Sequence, residues 1–268
     1  MAGNSRVADF ESPPLEEVVL GVQFSPPPSL NTVHARDVWN LYAPEFPLVQ
    51  EQPRLQPQFE VFGGLPPQGP QFNLSFGGPD LRNRLWFVAK DDSHLLQYQD
   101  DRLLLNWRKR TSGQEYPRHE GMAALFNEYL HRLAGYFGEA HSTPMAITQA
   151  EVTYVNVIPI ERTSDVGDWI SIFSFPPLEI EGINMSFSEV VYSETRQPVA
   201  RIVHEFQTLL TNDMRKRAVR WAITYRGKPP KDNIDSALDF LAYGRELIVK
   251  RFCEITTKTA HEHWGRRK

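Results

Sequence analysis

Cysteine is almost absent. Cys253 stands alone in 268 residues, which excludes an intrachain disulfide and any zinc site built on paired cysteines, and suits a reducing compartment. Long apolar runs are missing too. None approaches the roughly 18 uninterrupted apolar residues of a spanning helix, and residues 1–12 hold no apolar signal core. A soluble, cytoplasmic protein without a membrane partner is expected. Neither sign of charge dominates: 33 acidic against 29 basic residues leave −4, so the molecule as a whole has no attraction for phosphate backbones or anionic lipid. A nucleic-acid site would have to be local.

The motifs of several chemistries are missing as well. No Gly-x-Ser-x-Gly elbow occurs, and Gly63-Gly64 and Gly77-Gly78 lack the Lys and Ser/Thr of a phosphate loop, so both read as turns. The acidic pairs Glu16-Glu17, Asp91-Asp92 and Asp100-Asp101 fall at a strand start or in hairpin turns, where solvation explains them better than acid–base work. Cys253 follows Phe252 in an apolar helix and reads as a small hydrophobe. His261 and His263 form the only close histidine pair; in a helix they point about 200° apart, whereas a zincin spaces its ligands four apart on one face. The sequence therefore assigns no metal, no cofactor and no catalytic residue.

What is abundant is apolar and aromatic content, 41% and 12% of the chain, enough for a sizeable core. Twenty-one prolines cluster between patterned segments and read as connectors. Pro13-Pro14 delivers the chain into a first strand with Val18, Leu20, Val22 and Phe24 on one face. A helix capped at Asn31 or Thr32 runs to about Tyr42. Leu55–Phe62 alternates, with Leu55, Phe59 and Val61 as the apolar set, and Phe72–Phe76 continues the pattern. Further strands are expected at Leu85–Val88, Leu95–Tyr98 and Leu103–Trp107. Their short connections favour an antiparallel meander.

Residues 120–138 give the clearest helix, with Met122, Leu125, Phe126, Tyr129, Leu130, Leu133 and Phe137 in one stripe. The strand after it, Val152–Ile160, is apolar on both faces and reads as central. A short helix over Val166–Phe173 and strands at Asn184–Ser193, Val199–Leu210 and Ala218–Tyr225 follow. A helix from about Asp232 carries Ile234, Leu238, Leu241, Ile248, Phe252 and Ile255 and bends or breaks before His261-Glu262-His263-Trp264. The class is α+β: two lobes, residues 1–162 and 163–268, each an antiparallel sheet covered by helices on one face. Pro-Pro-Leu-Glu at 13–16 and 176–179, and Glu-Val-Val at 17–19 and 189–191, invite a duplication reading, although their offsets differ.

The Pro13-Pro14-Leu15-Glu16-Glu17-Val18 opening, the Val152-Thr153-Tyr154-Val155-Asn156 strand and the His261-Glu262-His263-Trp264-Gly265 close resemble a sporadically distributed prokaryotic family of about this length and no assigned function. The resemblance covers nearly the full chain and transfers no catalytic residue. Its patchy occurrence is typical of mobile and defence gene clusters.

Three functions follow as expectations. The first is a non-catalytic binding protein with a protein or peptide partner, an antitoxin- or chaperone-like accessory; its motive is abundant Trp, Phe and Tyr without a convergent reactive set. The second is a small-molecule-binding protein or enzyme with a pocket between sheet and helix near Tyr154, Asn156 and Trp221. The third is single-stranded nucleic-acid binding through Arg215, Arg217, Arg220 and Arg226, where cations and aromatics interleave, helped by Trp107-Arg108-Lys109-Arg110. Oligomeric state is not legible.

Overall fold

The structure is a computed structural model that describes residues 8–63, 83–111, 114–176, 179–210 and 216–267. In chain order the strands are β1 (Asp9–Phe10), β2 (Leu15–Phe24), β3 (Leu48–Gln52), β4 (Arg84–Val88), β5 (His94–Gln99), β6 (Arg102–Arg108), β7 (Ile147–Ile160), β8 (Asn184–Tyr192), β9 (Pro198–Leu210), β10 (Arg217–Gly227) and β11 (Arg266–Arg267). The helices are α1 (Ala35–Asn40), α2 (Arg118–His141), α3 (Ile234–Ile255) and α4 (Lys258–His263). The class is α+β. Among the described residues, no helix is long and apolar enough to cross a membrane.

Nine strands form one antiparallel sheet in the order β3-β4-β5-β6-β2-β7-β10-β9-β8, and β1 pairs with β11 in a separate two-stranded ribbon. The strands expected in two lobes thus meet in one sheet, joined where β2 pairs with β7. Read outward from that pair, both halves repeat one plan: β2-β6-β5-β4 on one side, β7-β10-β9-β8 on the other, each with a long helix after its last strand. The second round begins at β7. The Pro-Pro-Leu-Glu strings are out of register with this repeat, because the first leads into β2 and the second lies between β7 and β8.

Helices α2 and α3 lie side by side on one face of the sheet, α2 over β2 and β6, α3 over β7 and β10. A single cross-strand row beneath them, Phe87, Leu96, Leu105, Leu20, Val152, Tyr225 and Ile202, is almost wholly buried. The expected stripe of α2 is buried except for Leu125 at its edge, which is half-buried. Asn31 caps a 3-10 turn over Thr32–His34 before α1, and Asn233, not Asp232, caps α3 by accepting from Ser236 N at 2.9 Å. The helix expected over 166–173 is a 3-10 turn at Thr163–Asp168. The break after α3 is present: Thr257 starts α4 by accepting from Ala260 N at 3.1 Å.

Residues 53–62 depart from expectation. They run extended across the other face of the sheet without joining its ladder. Side chains of the sheet replace ladder partners. Gln99 accepts from Leu55 N and donates to Leu55 O, both at 2.9 Å; Gln23 does the same for Gln58 at 3.1 and 2.9 Å; Arg102 donates to Gln56 O at 3.1 Å. Glu60 sits between Arg201 (2.6 Å) and Arg226 (2.9 Å). Of the apolar members of the alternation, Phe59 and Val61 are exposed and Leu55 is half-buried, while the carboxylate of Glu60 is turned to the sheet. The pattern was that of a strand, but this sheet face is rich in Gln and Arg, and burial of polar groups goes to the side that can satisfy them. The expected strand at Phe72–Phe76 lies outside the described residues.

Candidate functional site

A cavity of about 620 Å³ opens between the sheet, the start of α2, the middle of α3 and the β1–β11 ribbon. Three strands deliver its floor, with Trp107 on β6, Tyr154 and Asn156 on β7 and Ile223 on β10. Direct pairing of Trp107 with Val18, of Val18 with Tyr154, and of Tyr154 with Ile223 puts them on the helix side of the sheet. The wall is made by Tyr116 just before α2, His119 in the first turn of α2, and Arg245, Ile248 and Phe252 on α3. Residues 8–13 and Arg267 form the rim.

The polar groups of the cavity converge. The hydroxyls of Tyr116 and Tyr154 are 3.1 Å apart, and the charge of Arg245 lies close enough to bear on both phenols. Burial pushes both phenols up, so they stay protonated and can donate. His119 is 7% exposed with Nδ1 unpartnered, and Arg245 Nε is shielded and unpartnered as well. Burial, reinforced by the charge of Arg245, lowers the His119 pKa, which keeps the imidazole neutral at pH 7. Asn156, 4% exposed, donates from Nδ2 to Trp221 O at 3.4 Å. Arg118, at the rim, holds φ +65° at the start of α2, where a side chain is rarely tolerated.

Of the three residues expected around a pocket, Tyr154 and Asn156 line this one. Trp221 is fully buried a layer away, stacked on the lining residue Phe252 at 5.4 Å between centroids. Sequence reasoning missed Tyr116, His119 and Arg245. A signal for two of them was available: His119 stands three residues before Met122 on the apolar stripe of α2, and Arg245 interrupts the apolar stripe of α3 between Leu241 and Ile248.

The cationic stripe is placed differently. Arg226 is held by Glu60, Glu151 and Gln58, Arg217 donates to Thr163 Oγ1 at 3.1 Å and Glu181 O at 3.3 Å, and Arg220 is half-buried on the sheet face opposite Trp221. Arg215 lies outside the described residues. At the end of β6, Arg108 and Arg110 both pair with Asp92, and Lys109 reaches Glu16 at 3.8 Å. In α4, His261 Nε2 lies 2.7 Å from Thr256 Oγ1 and Nδ1 lies 3.0 Å from the Arg266 guanidinium, while His263 packs edge-on against Trp169. Cys253 is half-buried and its thiol pKa is raised by burial, the opposite of an activated nucleophile.

No family model matches the chain, and no curated protein does.

Proposed function

We propose that this chain is a small-molecule-binding protein whose site is the cavity beneath α2 and α3. The observation that carries the reading is the pair of shielded, unpartnered polar atoms, His119 Nδ1 and Arg245 Nε, on side chains that line one cavity. Unpartnered side-chain atoms occur elsewhere in the fold too, but among the described residues these two line the same cavity, where they offer polar contacts to a ligand. Its size falls in the roughly 300–1,000 Å³ range of ligand pockets, and an apolar floor with a few convergent polar groups is their usual composition.

The test is direct. Protein purified under mild conditions is denatured, and its extract is compared by mass spectrometry with that of Val249→Trp, which fills the cavity from α3. A small molecule present in the first extract and depleted in the second supports the reading. A wild-type protein that carries nothing, and that no member of a fragment library stabilises, overturns it.

A second reading, an extended segment of a partner protein bound on the open sheet face, has one observation in its favour. Gln23 and Gln99 each grip a residue of the 53–62 main chain through both N–H and C=O, a mode of holding that reads no side chain. It would suit a peptide-binding accessory of the antitoxin or chaperone kind. A labelled peptide of residues 53–63 binding in trans to Glu60→Gln, in which the resident segment is loosened, supports it. Failure to bind at any attainable concentration removes it.

A further inference from the structure

The cavity also points to the chemical class of its ligand. Three of the cations around it are compensated: Arg118 pairs with Asp9, Arg267 with Glu11 at 3.3 Å, and Lys109 with Glu16 at 3.8 Å. Arg245 differs. Among the described residues it forms no ion pair, and the phenols beside it, Tyr116 and Tyr154, are neutral. The remaining acid of the lining, Glu115, is exposed at the mouth and solvated. Arg245 is half-buried with its Nε shielded, so its guanidinium loses part of its hydration and no carboxylate replaces it. The same cavity holds further donors: two protonated phenols bonded to each other, and the buried side chains of His119 and Asn156.

Resting on the small-molecule reading above, we infer that the ligand is an organic monoanion, a carboxylate whose head pairs with Arg245 and whose apolar body lies on Trp107, Ile223 and Phe252. A planar guanidinium matches a carboxylate with two parallel N–H···O bonds, which a compact ammonium does not. The phenol hydroxyls of Tyr116 and Tyr154 complete the shell of donors, as buried carboxylates require. One uncompensated positive charge fits one negative charge. A phosphate dianion would bring a second charge with no unpaired cation to meet it.

Matched pairs of probes test this: phenylacetate, indole-3-acetate and octanoate, each beside its carboxamide, titrated by calorimetry and thermal shift into wild type, Arg245→Gln and Arg245→Lys. At least one carboxylate should bind about tenfold or more tightly than its amide. That preference should vanish in Arg245→Gln and survive in part in Arg245→Lys, with the unliganded thermal midpoint confirming that both variants fold. If acids and amides bind wild type equally, or if Arg245→Gln keeps the preference, the anion inference fails while the cavity remains a binding site. If no probe of either kind binds at millimolar concentration, the inference fails together with the reading beneath it.

Discussion

A Cβ atom on Gly244 would stand 2.1 Å from Cδ1 of Tyr225. The missing side chain is therefore what lets α3 settle on β10. A glycine inside a helix costs roughly 1 kcal/mol relative to alanine, so propensity alone favours Gly244→Ala. Overpacking opposes it at about 1–3 kcal/mol, and the Tyr225 ring has nowhere to swing, being 1% exposed and packed on Phe240 at 4.7 Å. Packing wins. Gly244→Ala should lower the urea midpoint, and a raised midpoint would show that the helix does not approach this closely.

Glu60 is the anchor of the segment that crosses the open sheet face. Its carboxylate and the Arg201 side chain are 8% and 6% exposed. Removing one member of a buried pair costs about 3–5 kcal/mol when the other charge stays trapped. Here the segment can lift and admit water, so Glu60→Gln should cost less in global stability and more in local order. Hydrogen exchange is the measurement. The Leu55 and Gln58 amides, held only by Gln99 and Gln23 side chains, should exchange faster while those of α2 and β7 do not change. Equal rates in wild type and variant would rule out the anchoring role.

Acid should destabilise the fold before its carboxylates titrate. His204 is fully buried, stacked on Phe187 at 4.5 Å, with Nδ1 accepting from Trp221 Nε1 at 3.3 Å, and burial depresses its pKa despite the counter-pull of Glu189. His119 and His94 shift the same way for the same leading reason. The unfolded chain therefore takes up protons below its ordinary pKa of 6.5 that the folded chain refuses. Their contribution to stability is complete above about pH 6.5 and falls as pH drops toward the folded-state values. Urea midpoints from about pH 8 to 5 should show this slope, and the double variant His119→Gln, His204→Gln should flatten it. A slope unchanged in the double variant would assign the effect to other groups.

Tyr154→Phe removes the hydroxyl that pairs with that of Tyr116 in the cavity shared with Arg245. A hydrogen bond of this kind is worth about 1 kcal/mol net, so the variant should fold with a thermal midpoint a few degrees lower. Binding of the best carboxylate probe should weaken less than in Arg245→Gln, since the charge stays in place. A variant more stable than wild type would mean that the hydroxyl pair is not a structural contact.

Much of the fold was legible along the chain. Val18, Leu20, Val22 and Phe24 are the buried face of β2, the α2 stripe is buried apart from its edge at Leu125, and β7 occupies the centre of the sheet, paired on both sides. Each rests on a periodicity that closes within one strand or a few turns. Strand β3 was missed, because Leu48–Gln52 mixes exposed apolar and polar residues at the sheet edge. Residues 55–62 carried a strand's alternation and lie as an extended strap with Phe59 and Val61 exposed. Alternation reports that two faces differ, and it does not say which neighbour each will meet.

The candidate site divides the same way. Tyr154 and Asn156 were found because they stand two apart on a strand that was itself recognisable. Tyr116, His119 and Arg245 come from a loop and two helices, and only their packing makes a cavity. By itself the sequence determined the long helices and most of the long strands, since backbone sterics, caps and side-chain period act over a few residues. Only the tertiary structure decided that β2 and β7 join two repeats into one sheet, which face the helices cover, and that Arg245 has no counterion among the described residues. Those outcomes depend on many weak contacts between residues far apart in the chain, and no local pattern encodes that sum.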